Sequence, residues 1–131
     1  MIEQRKYVIQ RHQKQAENIH WDLMLESLDG LETYRLDSPP EQITKNSENN
    51  AIKTFTHDRK FLTYEGAVNK GAGSVKIAEA GTFQQIESSE QKTTLKFQGQ
   101  ALKGLFEIVH IKDDIYSFNY LQDQAKPFLS L

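Results

Sequence analysis

The chain has 131 residues, 37% of them hydrophobic and 26% charged, which suits a single small globular domain spanning residues 1–131 and leaves no room for two cores. It has no cysteine, so neither disulfides nor thiolate metal ligands are available. Sixteen basic residues against eighteen acidic ones give a net charge of −2, which argues against a strong nonspecific nucleic-acid binder but leaves room for a local basic groove.

In chain order, Tyr7-Val-Ile-Gln-Arg-His12 reads as a strand, and Gln13–Asn18 as a polar connection that returns the chain. The next strand is Trp21–Glu26. There Trp21, Leu23 and Leu25 alternate with His20, Asp22, Met24 and Glu26, an apolar face backing a polar one. Ser27-Leu-Asp-Gly30 is a hairpin turn, with Gly30 supplying a positive φ, and Leu31–Leu36 is the returning strand. Asp37-Ser-Pro-Pro40 ends that strand because proline cannot donate to a ladder. Glu41–Asn50 is polar and is the segment expected to form a mobile loop, with a short helical turn within Pro39–Lys45. Ala51–Thr56 resumes a strand that delivers His57 at its end.

Further strands are expected at Ser74–Glu79, Thr82–Glu87, Thr93–Gln98, Leu105–Ile111 and Ile115–Leu121, with Lys112-Asp-Asp114 as the last turn. Gly71-Ala-Gly73 reads as a tight turn, and Gln122–Leu131 as a tail in which Phe128 and Leu129 dock. Trp21, Phe97, Phe106 and Phe118 are the aromatic core candidates. Strands at this spacing, without a repeat or a strong helical period, indicate an all-β fold: a closed barrel of about eight strands or a sandwich. No apolar run approaches the ~20 residues of a membrane span. Met1-Ile-Glu-Gln-Arg-Lys6 lacks a signal peptide's hydrophobic region, so the expected location is the cytoplasm, with no membrane contact.

Chemistry concentrates near the start. Residues at i and i+2 of a strand share a face, so His20 and Asp22 present an imidazole beside a carboxylate. On spacing alone this pair is either a hydrogen-bonded surface pair or part of a metal site. A return of the chain over Gln13–Asn18 would bring His12 beside His20. Two imidazoles and a carboxylate then suit a divalent metal that keeps open positions, Mn2+ or Zn2+. His110 stands in an alternating strand without a partner and is not a ligand candidate. Arg11, Arg35, Arg59 and Lys60 are either a basic cluster near the site or scattered solvated charges; sequence does not separate the two.

The order of several motifs carries a resemblance. Tyr7-Val-Ile-Gln-Arg-His12, then His20-Trp-Asp22-Leu-Met-Leu-Glu26, Thr33-Tyr34, His57, Tyr64-Glu65-Gly66 and Gly71-Ala-Gly-Ser-Val75 resemble the 3'-phosphoesterase domain of bacterial DNA ligase D and its stand-alone relatives. The likeness continues through Leu95-Lys-Phe97, Gly99 and Leu102–Val109, covering about residues 5 to 122. It implies a compact β-barrel holding Mn2+ (or Zn2+) through His12, His20 and Asp22. It implies His57 at the phosphate, and a catalytic set of His12, His20, Asp22 and His57. Arg11 and Arg59 are the further phosphate-binding candidates. The implied activity removes a 3'-terminal ribonucleoside or 3'-phosphate from a primer strand in DNA repair. The implied partners are nucleic-acid 3' ends (primer–template) and a repair ligase or polymerase, with the chain itself a monomer.

The chain reads as a diverged member. The family's arginine two residues after the metal aspartate is Met24 here, and the tyrosine four after the phosphate histidine is Phe61. A further family arginine falls near Asn49, the loop from His12 to His20 is longer, and the segment around Asn69-Lys70 is shorter. A thioether cannot replace an arginine fork on phosphate, so the activity is expected to be weak or altered. A degenerate module that binds metal or nucleic-acid ends without turnover is the main alternative. A third reading is a non-haem Fe(II) oxygenase, in which His20, Asp22 and His57 form the facial triad and Arg59 anchors a co-substrate.

Overall fold

Two-residue alternation runs through nine antiparallel strands in the computed structural model, which describes residues 3–15 and 18–121. The strands are β1 (Gln4–Gln15), β2 (Asn18–Ser27), β3 (Gly30–Leu36), β4 (Asn50–Lys53), β5 (Gly66–Val68), β6 (Gly73–Ser88), β7 (Lys92–Gln98), β8 (Lys103–Lys112) and β9 (Ile115–Tyr120). Eight of them, in the order β1-β2-β3-β4-β9-β8-β7-β6, close into a barrel through pairing of β6 with β1. The short β5 adds to the beginning of β6. The all-β barrel expected from sequence is the architecture observed. The tail expected over Gln122–Leu131, with Phe128 and Leu129, lies outside the described residues.

One face of the alternation fills the barrel. Tyr7, Ile9, Leu23, Leu25, Phe83, Leu95, Phe97, Phe106 and Phe118 are all buried in a single cluster. Phe97 is its hub, meeting Tyr7 edge-on at 4.9 Å and Phe106 at 5.2 Å between ring centroids. Each fully buried ring of this kind contributes roughly 1.5–3 kcal/mol relative to exposure. Phe97, Phe106 and Phe118 are core as expected, whereas Trp21 only packs against the cluster and stays partly exposed. The opposite face of β1–β3 carries a second cluster of Val8, Met24 and Leu31, against which Phe61, Leu62 and Ile77 pack. Gln10 pins the covering segment there, its amide donating to Phe61 O at 2.9 Å and Tyr64 O at 2.8 Å.

Three local expectations differ from the structure. Ser74–Glu79 and Thr82–Glu87 are one strand, β6, because Gly81 continues the ladder instead of breaking it. A Cβ on Gly81 would come within 2.6 Å of Gln98 O and 2.9 Å of the Tyr7 ring, so the missing side chain lets neighbouring strands close. The strand after Asn50 is shorter than Ala51–Thr56, and His57 arrives through an extended stretch. The polar segment Glu41–Asn50 is anchored, not loose. It opens with the expected helical turn, α1 (Pro40–Ile43), buries Ile43 completely, and has the Asn49 amide donating to Ile43 O at 3.0 Å. No helix of the described residues is long and apolar enough to cross a membrane.

Candidate functional site

Strand register assembles the site on the barrel wall's second face. β1 and β2 pair so that His12 lies opposite His20, Gln10 opposite Asp22 and Val8 opposite Met24. The Leu28-Asp29 turn sets β2 against β3, placing Arg35 opposite Asp22 and Thr33 opposite Met24. Directly opposed residues share a face, so His12, His20, Asp22 and Arg35 lie on one surface.

His12, His20 and Asp22 each offer a ligand atom within 4.8 Å of the others. The carboxylate Oδ2 of Asp22 lies 3.2 Å from His20 Nε2 and 3.7 Å from His12 Nδ1. The two imidazoles meet edge to face with centroids 4.7 Å apart. His20 and Asp22 are buried, and among the described residues no lysine or arginine forms an ion pair with Asp22. A carboxylate and two imidazoles, largely withdrawn from water and lacking a cationic partner, form a donor set that fits a divalent ion. Gly73 belongs to this construction. A Cβ there would sit 3.1 Å from His12 Nε2, so glycine lets the imidazole lie against the backbone of β6.

His57 is held beside the triad, not within it. A two-bond bridge ties its backbone to Leu31, with Leu31 N donating to His57 O at 2.8 Å and His57 N donating to Leu31 O at 2.9 Å. Gly30 makes room: its φ is +142°, and a Cβ would meet His57 O at 2.6 Å. Thr33 Oγ1 donates its one proton to Leu31 O and lies 2.9 Å from His57 Nδ1. Nδ1 must therefore be the donor to that oxygen, which leaves Nε2 unprotonated in the neutral ring. Phe55 stacks on the His57 ring at 4.2 Å and is 73% exposed.

His12, Asp22 and His57 line one cleft of about 320 Å³, together with Gln10, Lys14, Met24, Arg35, Thr54, Phe55, Phe61, Val68, Asn69 and Val75. Arg11 and Arg59 do not line it. Arg11 faces the other side of β1 and donates to Gln13 Oε1 at 3.1 Å. Arg59 follows Asp58, which caps a short 3-10 turn, and its guanidinium donates to Ser27 O and Leu28 O at the hairpin tip. Lys60 sits over the Phe61 ring, outside the cleft. Among the described residues the lysines and arginines that reach the cleft are Lys14 and Arg35. His57 stays outside the three-residue ligand cluster, so the geometry gives the oxygenase triad no support. His110 is exposed to solvent at its Asp113 O contact of 2.8 Å, away from the site.

Burial lowers the pKa of His12 below 6.5, and the neighbouring His20 lowers it further against the opposing pull of Asp22. Burial also lowers His57, which Asp22 partly offsets. A lowered folded pKa means that the unfolded chain binds the proton more tightly. The resulting stability is fully present above about pH 6.5 and is lost as pH falls through the folded values. The thermal midpoint of metal-free protein is expected to drop between about pH 7 and about pH 5. A His12→Gln/His57→Gln variant should show a flatter pH profile over that range, and an equally steep one would assign the loss elsewhere.

A family model for the DNA Ligase D 3'-phosphoesterase domain matches residues 10–110, a span that contains His12, His20, Asp22, Arg35 and His57. The chain belongs to this family. No curated protein matches the chain.

The two positions at which the sequence departs from the resemblance, Met24 and Phe61, both pack into apolar surroundings. Met24 is 2% exposed within the second apolar cluster, and Phe61 packs against it. Together they form an apolar wall where the resemblance implies an arginine and a tyrosine. Asn49, near the other family arginine, is buried against Ile43 and Asn46 and does not line the cleft. Lys14, Thr33 and Phe55, which carry no site role in the sequence, and Arg35, which stays unassigned there, all belong to this cleft or to its support. Thr33 and Arg35 had a readable signal, because counting back equally from the Ser27–Gly30 turn places them opposite Met24 and Asp22. Phe55 had none beyond its proximity to His57.

Proposed function

We propose that this protein is a metal-dependent phosphoesterase acting on nucleic-acid 3' ends, removing a terminal ribonucleoside or 3'-phosphate. The observation that carries this reading is the clustering of His12, His20 and Asp22, two of which, His12 and Asp22, line one cleft with His57, within the region matched by the family. Mn2+ or Zn2+ suits the donor set. When bound, the ion offers a Lewis acid for a phosphoryl oxygen and a water of lowered pKa. His20 and Asp22, fixed on β2, and His12, fixed opposite on β1, orient the ligand atoms. Neutral His57, its Nδ1 proton held by Thr33, has Nε2 free to accept a proton from an attacking water or to take a hydrogen bond from a phosphate or sugar hydroxyl. The apolar wall of Met24, Phe61 and Val75 excludes water and strengthens these contacts.

The test is a primer–template ending in one ribonucleotide or a 3'-phosphate, incubated with Mn2+. The expected product is a 3'-OH primer that a polymerase extends. His57→Ala should slow its formation by ~10²–10⁴-fold. A second reading, a module that binds such ends without turnover, rests on buried Met24 and partly buried Phe61, apolar where the resemblance implies polar groups. It is favoured if wild type binds the primer without cleaving it while Met24→Arg with Phe61→Tyr gains cleavage.

A further inference from the structure

We propose that Arg35 is the phosphate-binding guanidinium of this cleft, delivered from β3 across from the metal-ligating aspartate. The inference deepens the phosphoesterase reading and rests on it for the choice of phosphate as the anion. Arg35 lines the cleft with His12, Asp22 and His57. Its strand register places it directly opposite Asp22. Yet among the described residues it forms no ion pair with Asp22 or with any other carboxylate. Asp22 is turned instead to the two imidazoles.

Arg35 Nε is buried and, among the described residues, has no hydrogen-bond partner. A buried donor without an acceptor is costly, and more so on a charged group. An anion held by the guanidinium at the cleft supplies that acceptor once the side chain turns Nε toward it. A guanidinium offers parallel N–H donors that match two phosphoryl oxygens at once. The neighbouring position, Met24, is committed to the apolar cluster and cannot do this. Arg35 thus places a fork on the adjacent strand, facing the same cleft, where the residue two after Asp22 has none.

The experiment begins with the wild-type full chain without metal, observing the arginine Nε–H resonances by NMR during addition of inorganic phosphate. The Arg35 signal is identified by its absence from Arg35→Lys. It is expected to shift saturably. In parallel, binding of a 3'-phosphorylated oligonucleotide and of its 3'-OH counterpart is compared in wild type, Arg35→Met and Arg35→Lys. Arg35→Met, which keeps the aliphatic stem, should weaken the 3'-phosphorylated strand by about 10- to 100-fold and leave the 3'-OH strand unchanged, with Arg35→Lys between. An unmoved Nε–H resonance, or equal effects on both strands, overturns the proposal. If Arg35→Met fails to fold, the wild-type resonance and Arg35→Lys decide. These readouts need no turnover. A saturable shift in a protein that cleaves nothing upholds Arg35 and defeats the catalytic reading, whereas cleavage with an unmoved resonance defeats Arg35 alone.

Discussion

Replacing Asp22 with asparagine is expected to remove saturable binding of both Mn2+ and Zn2+, and with it the metal-dependent cleavage of 3' ends. Among the described residues Asp22 is the one carboxylate in the cluster, and both histidines approach the same oxygen, Oδ2. Asparagine keeps the shape and buried position but discards the negative charge that balances a divalent cation between neutral imidazoles. Even partners outside the ligand set are worth 10–100-fold in metal affinity, so losing a ligand should cost more than about 100-fold. Calorimetric titration of wild type and Asp22→Asn with each metal measures this. A stability readout is independent of activity: an ion at 100 times its Kd stabilises the fold by about 2.7 kcal/mol. That thermal shift should appear in wild type and vanish in Asp22→Asn and His20→Ala. Equal shifts in all three would place the ion elsewhere.

The triad was legible because strand periodicity is local. His20-Trp21-Asp22 declares a shared face by itself, and His12 joins it as soon as the chain returns antiparallel. The return is tighter than expected, since β1 runs to Gln15 and β2 begins at Asn18. Residues placed by non-local contacts were less accessible. His57 owes its position to a bridge with Leu31 and to the missing side chain of Gly30, neither of which any spacing announces. Adjacency misled in the case of Arg59. It follows His57 by two residues, but the Asp58-capped turn swings it to the carbonyls of Ser27 and Leu28. Composition misled for Glu41–Asn50, where polar letters suggested mobility. The asparagines instead bond the segment to itself and to β9, with Asn119 Oδ1 accepting from Asn49 N at 3.0 Å.

The largest expected effect on stability lies at Glu79 on β6, a buried carboxylate far from the proposed chemistry in role but on the strand that closes the barrel. Its two oxygens accept three hydrogen bonds: Tyr7 Oη donates at 2.6 Å, Ala101 N at 2.7 Å and Leu102 N at 2.9 Å. These bonds fasten the β7–β8 connection onto the β1–β6 seam. Burial, reinforced by Glu79, drives the Tyr7 hydroxyl pKa upward, so the phenol stays protonated as the donor. Gly99 completes the arrangement, since a Cβ there would fall 1.9 Å from Tyr7 Oη. Glu79→Leu leaves three donors without an acceptor, each costing ~1–3 kcal/mol. A combined loss of about 3–9 kcal/mol is expected, a large part of the 5–15 kcal/mol typical of a domain. Tyr7→Phe keeps the ring against Phe97 and removes one donor, so it should cost only about 1 kcal/mol. Because the two residues share a bond, the double variant should lose less than the sum of the singles. Urea unfolding of the four proteins measures this. A Glu79→Leu variant within ~0.5 kcal/mol of wild type, the range of an ordinary surface substitution, would show that the carboxylate does not hold the seam.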